Sequence, residues 1–533
     1  MSFLRAEKKK SGTYLRIVKS FKINGKVKHK TLHSLGKAED YSTEQLEKIA
    51  KKLLELAGIN LEDIVARAFH EVRRVNYGYG LIIRKLWQMY DMKRFVRQIN
   101  ANSRLQFDWQ GVLQLMVAER INEPVSKRQN YFHKDEYLGF NQAIDLQYFY
   151  RTLDVLAKHQ HALKKHLFEQ RRSLYSQELD VVFYDVTTLY FDSQKEVEGN
   201  IRHKGYSKDG KAHKTQVVLG LLVDKLRNPI TYHIYQGNTY EGHTMTDALK
   251  DMKENFPVDR VIVVADSAMI DKDNRDFMEE NGFDYILGDR LKNLPGHVKN
   301  KLLDAANHQS IASGNDKFTY AISQYKGRKI FCTYSSKRAR KDAQERDKLI
   351  EKARKWLEEP SKYKQAKKRG AGRFLQTDQE GIPKELDQEK IKADARFDGY
   401  KAIATTTDLS VKQIISRYGD LYEVEHAFRT LKSQLEIRPI YHWTNRRIEG
   451  HIAMCFLAYT FLNYLRNKTA LSYKTLVKAL DRMQMSEIEE EGNQHHLYMR
   501  SALKEEEHII LKHLKLAAPK DVTPKSIINQ YFT

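Results

Sequence analysis

Cysteine and long apolar runs are both scarce in this sequence. The two cysteines among 533 residues, Cys332 and Cys455, lie far apart in apolar stretches, which excludes a disulfide framework and a thiolate zinc site. The best candidate for a membrane span, residues 452–465, has fourteen residues where a span needs roughly 20, so we predict a buried helix there. The start, MSFLRAEKKK, lacks the apolar core of a secretory signal. These absences predict a protein of the reducing cytoplasm without a membrane segment.

Acidic residues are also in deficit. The sequence holds 92 Lys and Arg against 69 Asp and Glu, a formal charge of +23, and its pI is about 9.5. A charge of this sign and size predicts a polyanionic partner, and nucleic acid is the leading candidate. The excess is concentrated at residues 1–36, which include Lys8, Lys9 and Lys10, and at residues 337–373. Two basic surfaces suit a protein that grips DNA in two places, although a solvated helix face explains the second stretch equally well.

The amino-terminal third changes from strand-like to helical patterning. Apolar and polar residues alternate on both sides of Asn24 and Gly25, which predicts a β-hairpin in a small basic unit, residues 1–40. Beyond this unit the apolar spacing becomes helical, with Ser42 placed to cap the first helix. We therefore expect a helical region that binds DNA ends at residues 41–175.

The middle of the sequence has the patterning of strands with helices among them. We predict strands at residues 179–191, 214–224, 229–236 and 260–265 and a helix at 243–255. Three strands, a helix and a strand match the first part of a ribonuclease-H-like α/β layer fold. The predicted fold class is therefore α/β. We expect a ribonuclease-H-like core in two parts, 176–290 and 406–475, a β-rich insertion with a basic helix, 291–405, and a helical C-terminal region, 476–533.

Two acids occupy unusual places in this core. Asp185 lies in the middle of the apolar stretch DVVFYDVTTLYFD, and Asp266 directly follows the apolar run VIVVA, where a strand would end. Buried carboxylates are costly unless they bind a metal or hydrogen-bond donors, and acids on neighbouring strands can face the same ion. A role in a turn or as a helix cap explains Asp266 alone just as well. The alternatives at strand margins are Asp180, Asp192, Asp224 and Asp289.

A later helical segment, RYGDLYEVEHAFRTLKSQLEIRPIYHW, supplies a third acid. Its spacing would place on one helix face Tyr418, Leu421, Glu425, Arg429 and Lys432. Such a face would offer a carboxylate to a metal, two cations to phosphates and a phenol beside them. An ordinary amphipathic helix gives the same pattern, so the segment does not decide the function by itself.

This segment resembles the signature of the insertion-sequence-four superfamily of bacterial DDE transposases, which reads Tyr, two residues, Arg, three residues, Glu, six residues, Lys. Tyr418, Glu425 and Lys432 match the signature, and Leu421 stands at the Arg position. Four other segments are also similar to the long-insertion branch of that superfamily: HKGYSKDGK, QGNTYEGHT, ARFDGYKAI and IEGHIAMCFLAY. The resemblance is strong over residues 180–465 and weak at both ends.

The resemblance implies a DDE triad of Asp185, Asp266 and Glu425 in a ribonuclease-H-like core. Two Mg2+ or Mn2+ ions are expected on the triad, because hard oxygen ligands select such ions. The implied activity is cleavage of inverted-repeat ends in double-stranded DNA and transfer of the 3′ hydroxyl strand to target DNA. A homodimer formed on DNA at the bacterial nucleoid would carry it out. The DNA contacts expected are Tyr418, Arg429, Lys432, Lys208, Lys8, Lys9 and Lys10.

Two other classes of function compete with this one. A catalytically inactive DNA-binding protein, such as a repressor of its own element, explains the charge equally well but does not need three acids. Leu421 keeps this alternative open, because the missing Arg removes one phosphate clamp. Another ribonuclease-H-like nuclease, such as a junction resolvase, explains the acids but not the long insertion. The histidines near the first strands have no metal-binding spacing and are expected at the surface: His203, His213, His233 and His243.

Overall fold

The computed structural model describes residues 2–23, 26–59, 69–101, 103–140, 143–175, 181–207, 210–256, 261–269, 272–313, 316–359, 363, 370–490 and 496–532. The chain divides into two units. The first comprises Met1–Arg74, Met485–Arg500 and Lys520–Ile528, and the second comprises Val75–Gln484, Ser501–Pro519 and Asn529–Thr533. The second unit contains all three acids of the predicted triad.

A small antiparallel sheet opens the chain. Its strands are β1 (Ser2–Lys9), β2 (Gly12–Ile23) and β3 (Lys26–Lys37). The pairing of β2 with β3 confirms the predicted hairpin, whose turn at Asn24 and Gly25 lies outside the described residues. β1 is an additional strand that was not predicted, because its charged residues hide the alternation. Helix α1 (Thr43–Leu56) is capped as predicted, by the Ser42 side chain accepting a hydrogen bond from the Gln45 amide.

The region predicted as helical, residues 41–175, begins with α1 and then contains a strand, β4 (Phe69–Asn76). The helices then follow as α2 (Gly78–Met89), α3 (Met92–Ala101), α4 (Trp109–Asn122), α5 (Lys127–His133), α6 (Leu146–Lys158) and α7 (Gln160–Tyr175). α4 is buried on all sides because it packs against both α2 and α6. The helical character predicted for this part of the chain is thus confirmed by α1 and by α2 to α7, and β4 is a strand that was not predicted.

The predicted core strands and helix are confirmed with small shifts at their ends. They are β5 (Val181–Tyr190), β6 (Gln216–Val223), β7 (Pro229–Gln236), α8 (Met245–Asn255) and β8 (Ile262–Ala265), followed by α9 (Lys272–Glu280) and β9 (Asp284–Asp289). Their order in the sheet is β7-β6-β5-β8-β9. β6 runs antiparallel to both of its neighbours, β5 and β7, whereas β5, β8 and β9 run parallel. This order and these directions are those of a ribonuclease-H-like fold.

The insertion extends the core sheet. Its elements are α10 (Gly296–Leu303), β10 (Gln309–Ser313), β11 (Asp316–Tyr325), β12 (Arg328–Tyr334), α11 (Ser336–Glu358), β13 (Leu375–Thr377), β14 (Pro383–Leu386), α12 (Gln388–Ala395) and β15 (Tyr400–Thr405). β15 pairs antiparallel with β9, and β12, β11 and β10 follow, which makes one sheet of nine strands. The predicted basic helix is α11, of which Ala353 is the buried residue.

The second part of the core is helical. It contains α13 (Val411–Gly419), α14 (Tyr422–Arg429), a π-helical turn (Thr430–Gln434), α15 (Asn445–Thr469) and α16 (Tyr473–Arg482). The prediction of one continuous helix through the signature is wrong, since α13 ends at Gly419. α15 contains the predicted buried helix. Among the helices described, none combines the length and the apolar character that a bilayer crossing requires.

The C-terminal region, predicted as helical, also contains strands. Its elements are β16 (Gln484–Glu490), β17 (His496–Arg500), α17 (Glu505–Leu514), β18 (Val522–Pro524) and α18 (Lys525–Ile528). The strands form a four-stranded sheet in the order β18-β17-β16-β4. An inward-facing acid hides this pattern in the sequence: Glu487 on β16 is buried, and its carboxylate pairs with Arg73 and Lys525.

Candidate active site

Neighbouring strands of the core sheet carry an acid at the same level. β5 and β8 run parallel, and Tyr184 pairs with Ala265. The next residues are Asp185 and Asp266, so the register places the two acids side by side where β8 ends. Asp185 is half-buried and Asp266 is exposed. Two of the three predicted acids therefore lie next to each other at the carboxyl end of β8, which we call the active-site edge of the core sheet.

Tyr418 ties Asp266 to the second part of the core. The Tyr418 hydroxyl donates a hydrogen bond to Oδ1 of Asp266 at 3.2 Å, and the Ser267 amide donates to the same oxygen at 2.7 Å. Burial, together with the neighbouring Asp266, raises the pKa of Tyr418 well above its usual value. Gly288 on β9 makes room for this contact, because a Cβ at that position would collide with the Tyr418 hydroxyl. Asp266 thus forms a turn, as the alternative interpretation expected, and also belongs to a larger site.

Lys401 on β15 brings a cation close to two of the acids. Its ammonium lies 4.3 Å from the centre of the Tyr418 ring. Burial and the charge of Arg338 lower the pKa of Lys401, and the carboxylates of Asp266 and Glu425 oppose that shift. Both carboxylates therefore act on one ammonium group.

α14 presents Glu425 on its exposed face. The opposite face packs on β5 and β6 through Val424, Ala427 and Phe428. Glu423, two residues earlier, is buried and forms an ion pair with Arg227 in the turn between β6 and β7. A buried pair of this kind fixes the position of α14 on the sheet, and with it the direction of the Glu425 side chain.

A cleft of about 790 Å3 lies between this edge of the core and the insertion. The core contributes Asp266 and Tyr418 to its lining, and the insertion contributes Lys401. Besides Lys401, the described cations that line it are Arg290, Lys292, Arg338, Arg346 and Arg373. Several of them are held by acids of the same cleft, in the pairs Arg346–Asp398 (2.5 Å), Lys292–Asp394 (2.5 Å) and Arg338–Asp342 (3.6 Å). α11 therefore lines the same cleft as Asp266, and the DNA contact predicted for this basic stretch stays a prediction.

The basic residues predicted to contact DNA occupy two units. In the second unit, Arg429 is exposed at the end of α14, and Lys432 is half-buried in the π-helical turn. In the first unit, Lys8 and Lys9 are exposed at successive positions of β1 and so point to opposite sides of its sheet. Lys10 is exposed in the turn that follows. Four of these five side chains are thus exposed, and Lys432 is the half-buried one.

Three other signature and loop residues need separate comment. Tyr418 is 5% exposed, so its surroundings are the interior beside Asp266 and not the open surface expected of a DNA contact. Leu421 is half-buried directly before α14 and begins that helix. Lys208 lies outside the described residues. The signature positions are therefore spread over two helices and a π-helical turn.

Lys401 and Gly288 are parts of the site that the sequence did not predict. Lys401 is a charged residue in an otherwise apolar strand, and Ala402, Ile403 and Ala404 after it are buried. A charge inside an apolar strand is the signal that singled out Asp185. The same signal would have found Lys401, whereas nothing in the sequence marks Gly288.

Two protein-family models match the chain. The transposase DDE domain family matches residues 176–461, which is more than half of the chain. The chain belongs to the DDE transposase domain family. The IS1634 family transposase N-terminal domain matches residues 4–62 of the transposase. Together the two matches identify an insertion-sequence DDE transposase.

Similar solved structures also include transposases. A piggyBac transposase synaptic complex with hairpin DNA is 9% identical, with a TM-score of 0.37, covering 76% of this transposase and 78% of that chain. A Mos1 transposase paired-end complex with a left transposon end is 12% identical, with a TM-score of 0.15. The match covers 34% of this transposase and 59% of that chain. No curated protein sequence matches the transposase.

DDE transposase domains use divalent metal ions in general. The predicted ligands of the transposase are all carboxylate oxygens, which are the donors that Mg2+ and Mn2+ prefer. Within the described ranges, no three His, Cys, Asp or Glu side chains are grouped so that they could hold an ion. This also holds for the four histidines near the first strands. The donors fit such ions by their chemistry and by the register of Asp185 and Asp266. Glu425 would have to turn toward them to complete the set.

Proposed function

We propose that this transposase binds the inverted-repeat ends of an insertion sequence and cuts them by metal-dependent phosphodiester hydrolysis. It then transfers the 3′ hydroxyl strand to target DNA. The observation that carries the proposal is the register of β5 and β8, which sets Asp185 beside Asp266 in a ribonuclease-H-like sheet. Acids on one rigid edge are what a metal-dependent nuclease requires, because strands hold ligands more precisely than loops do.

The proposed ligands are Asp185, Asp266 and Glu425, which would hold two Mg2+ or Mn2+ ions. When bound, the ions would activate water and stabilise the attacking and leaving oxygens of an in-line displacement. Oδ1 of Asp266 is held by the Tyr418 hydroxyl and the Ser267 amide. Oδ2 accepts no hydrogen bond from the residues that the structure describes, so it is available as a ligand.

Basic residues around the acids would hold the DNA strand that is cut. Arg429 and Lys432 follow Glu425 on the chain and would bind backbone phosphates on either side of the scissile bond. Arg338 on α11 lies in the cleft of Asp266 and would contact the strand from the insertion side. Lys401 would compensate the charge of the acids until the ions are bound.

The finer family and the assembly are also proposals. Tyr418, Glu425 and Lys432 support membership of the insertion-sequence-four superfamily, although the amino-terminal match carries the name of the IS1634 family. The basic N-terminal sheet and the helices that follow it would recognise the DNA ends. We expect a homodimer formed on DNA, acting at the nucleoid in the bacterial cytoplasm.

The test is cleavage of a labelled duplex that carries the element's end, with Mg2+ or Mn2+. We compare the wild type with Asp185→Asn, Asp266→Asn and Glu425→Gln, which keep side-chain size but remove the ligand charge. Each should reduce cleavage on the order of a thousandfold, since metal catalysis is worth several kcal/mol and each 1.4 kcal/mol is tenfold. DNA affinity should stay within a small factor of the wild type.

Two matched variants serve as controls. Asp273→Asn and Glu280→Gln remove charges from exposed residues of α9 that do not line the cleft, and both should cut normally. If the wild type and all variants bind the duplex equally and none cuts it with either ion, the protein is a DNA-binding repressor and Leu421 is the first residue to examine. Cleavage that survives all three active-site substitutions would exclude the DDE assignment.

A further inference from the structure

A second basic cleft lies in the helical region of the second unit. Its volume is about 450 Å3. Three separate parts of the chain line it: the segment between α3 and α4, helix α6 and the start of α15. The lining residues that matter here are Arg104, Phe107, Tyr148, Arg151, Asp154 and Arg446. None of them lines the cleft of Asp266.

The cationic side chains of this cleft outnumber its acids. Among the described residues that line it, Asp154 is the one acid. Arg446 is bound to Asp154, with Nε 3.2 Å from the Asp154 backbone oxygen and 3.8 Å from Oδ1. Arg104 and Arg151 are exposed. Neither has a hydrogen bond or an ion pair with any residue that the structure describes. Two guanidinium groups are thus available to bind an anion from outside.

Aromatic rings form another part of the wall. The Phe107 and Tyr148 rings are stacked, with centres 4.7 Å apart and planes 10° from parallel. Both side chains are half-buried, so part of each ring remains accessible. An accessible ring beside an arginine suits a sugar or base next to a phosphate, because stacking on rings and charge pairing act together on nucleic acid strands.

The start of α15 adds to the attraction for anions. Arg446 is the second residue of this long helix, so the cleft lies at its amino-terminal end. Backbone amides without partners give such an end a partial positive charge. The Thr444 side chain satisfies the Arg447 amide, and the remaining positive potential acts in the same direction as the arginines.

We propose that this cleft binds the phosphodiester backbone of DNA at a place separate from the site of cleavage, with Arg104 and Arg151 as the contacting cations. The assignment rests on the proposed function in that the partner is taken to be DNA. A cleft of this size accommodates more than one phosphate and the sugar between them, and the aromatic wall gives a surface for the non-ionic part. Such a contact would position the duplex without reading its sequence.

The experiment measures binding of a fluorescein-labelled duplex of arbitrary sequence across a series of salt concentrations. It uses the full chain with Glu425→Gln, so that no cutting disturbs the measurement. In that background we compare two double variants. The cleft pair is Arg104→Gln with Arg151→Gln. The control pair is Arg94→Gln with Arg97→Gln, which replaces two exposed arginines of α3 outside the cleft. The cleft pair should lower the slope of log K against log salt by about 2, since each lost phosphate contact removes about 0.9. The control pair should leave the slope unchanged.

A charge-preserving pair guards against misfolding as the cause. Arg104→Lys with Arg151→Lys should keep most of the slope, because lysine also binds phosphate as a point charge. Equal slopes for the cleft pair and the control pair overturn the proposal. A lysine pair that loses as much slope as the glutamine pair, with an unchanged melting temperature, also overturns it, because the phosphate charge is then not what the arginines recognise.

A second arm separates DNA from free phosphate. Inorganic phosphate is titrated at constant ionic strength while the melting temperature is followed. If phosphate stabilises the wild type and not the cleft pair, while DNA slopes are the same in both, the cleft is a small-anion site and the DNA assignment is overturned. A wild type that fails to bind any duplex overturns the proposed function itself, whereas normal binding with equal slopes overturns only the role of this cleft.

Discussion

Strands β6 and β2 are both middle strands of antiparallel pairings, yet their surroundings are opposite. Every residue of β6 is buried, because helices and neighbouring strands cover both faces of the core sheet. In the N-terminal sheet, Val18 is the one buried residue among the side chains that the structure describes. Its large exposed apolar side chains are Phe3, Leu4, Phe21, Val27 and Leu32. The position of a strand within its sheet does not make it part of a core.

The difference teaches how each region can serve the transposase. The core sheet gains its stability from packing of its own apolar side chains, and this packing can hold Asp185 rigidly. The N-terminal sheet keeps apolar and basic side chains on its surface. Clustered exposed apolar residues mark interaction sites in soluble proteins, and the basic excess of residues 1–36 favours an anionic partner.

The largest expected effect tests this difference directly. Leu222→Ala removes a fully buried side chain from β6 and should lower the free energy of unfolding by about 2–5 kcal/mol. Leu4→Ala on β1 removes a side chain that is 58% exposed. This substitution should change the free energy of unfolding by less than about 0.5 kcal/mol. Hydrogen exchange followed by mass spectrometry reports both sheets in one experiment. An equal loss in the two variants would mean that the N-terminal sheet has a core of its own in solution.

A second prediction concerns the four-stranded sheet of the first unit, which is held by charge. Burial raises the pKa of Glu487, but hydrogen bonds and charges from Lys525 and Arg73 outweigh it and lower the pKa to about 2. Because the folded pKa lies below the usual value, this contribution is complete above about pH 5 and is lost as the pH falls toward 2. It amounts to about 3 kcal/mol.

The measurement compares melting curves of the wild type and Glu487→Gln over this range of pH. The difference in stability should be largest near neutral pH and should vanish near pH 2. Glu198→Gln, which removes an exposed acid of the second unit, should show no such change. A constant difference between wild type and Glu487→Gln at every pH would show that the carboxylate charge is not what holds this sheet.

A third, smaller effect concerns the hydrogen bond that holds Asp266 in place beside the core sheet. Tyr418→Phe removes the hydroxyl that binds Oδ1 of Asp266 and leaves the ring in place. Cleavage should fall about 10- to 100-fold, the usual cost of losing a partner that orients a metal ligand. Affinity for the DNA end should not change. Tyr320→Phe, which removes an exposed hydroxyl on β11, is the matched control and should cut normally. Unchanged cleavage by Tyr418→Phe would show that Asp266 does not depend on this hydrogen bond.

The sequence predicted the parts of the site that a local pattern marks. Asp185 and Asp266 stand out because a charge within or directly after an apolar strand demands a reason. The fold class then followed from the order of strands and helices along the chain. The helix break after Tyr418 was missed because helical spacing continues across it. Gly419 and Asp420 are the signals, since glycine commonly ends a helix.

Contacts between distant parts of the chain could not be predicted in this way. The bond from Tyr418 to Asp266 spans 152 positions, and the pair of Arg227 with Glu423 spans 196. Such pairs depend on how β15 and β9 meet and on where α14 packs, which no short pattern encodes. Strand β16 was missed for a local reason. Glu487 is charged, so the sequence pattern indicated an exposed position where the structure has a buried one.

The smallest expected effect comes from the same chemical change made in both regions. Ser42 caps α1, a helix without buried residues, and Thr444 caps α15, which is buried along most of its length. Replacing either cap with alanine costs the helix about 1 kcal/mol. In α1 this cost should speed amide exchange along the whole helix, because little besides local interactions holds it. In α15 exchange should change in the first turn alone, because packing holds the remaining turns. If Ser42→Ala leaves exchange in α1 unchanged, then α1 has a packing partner in solution, and the contrast between the two regions is smaller than their burial indicates.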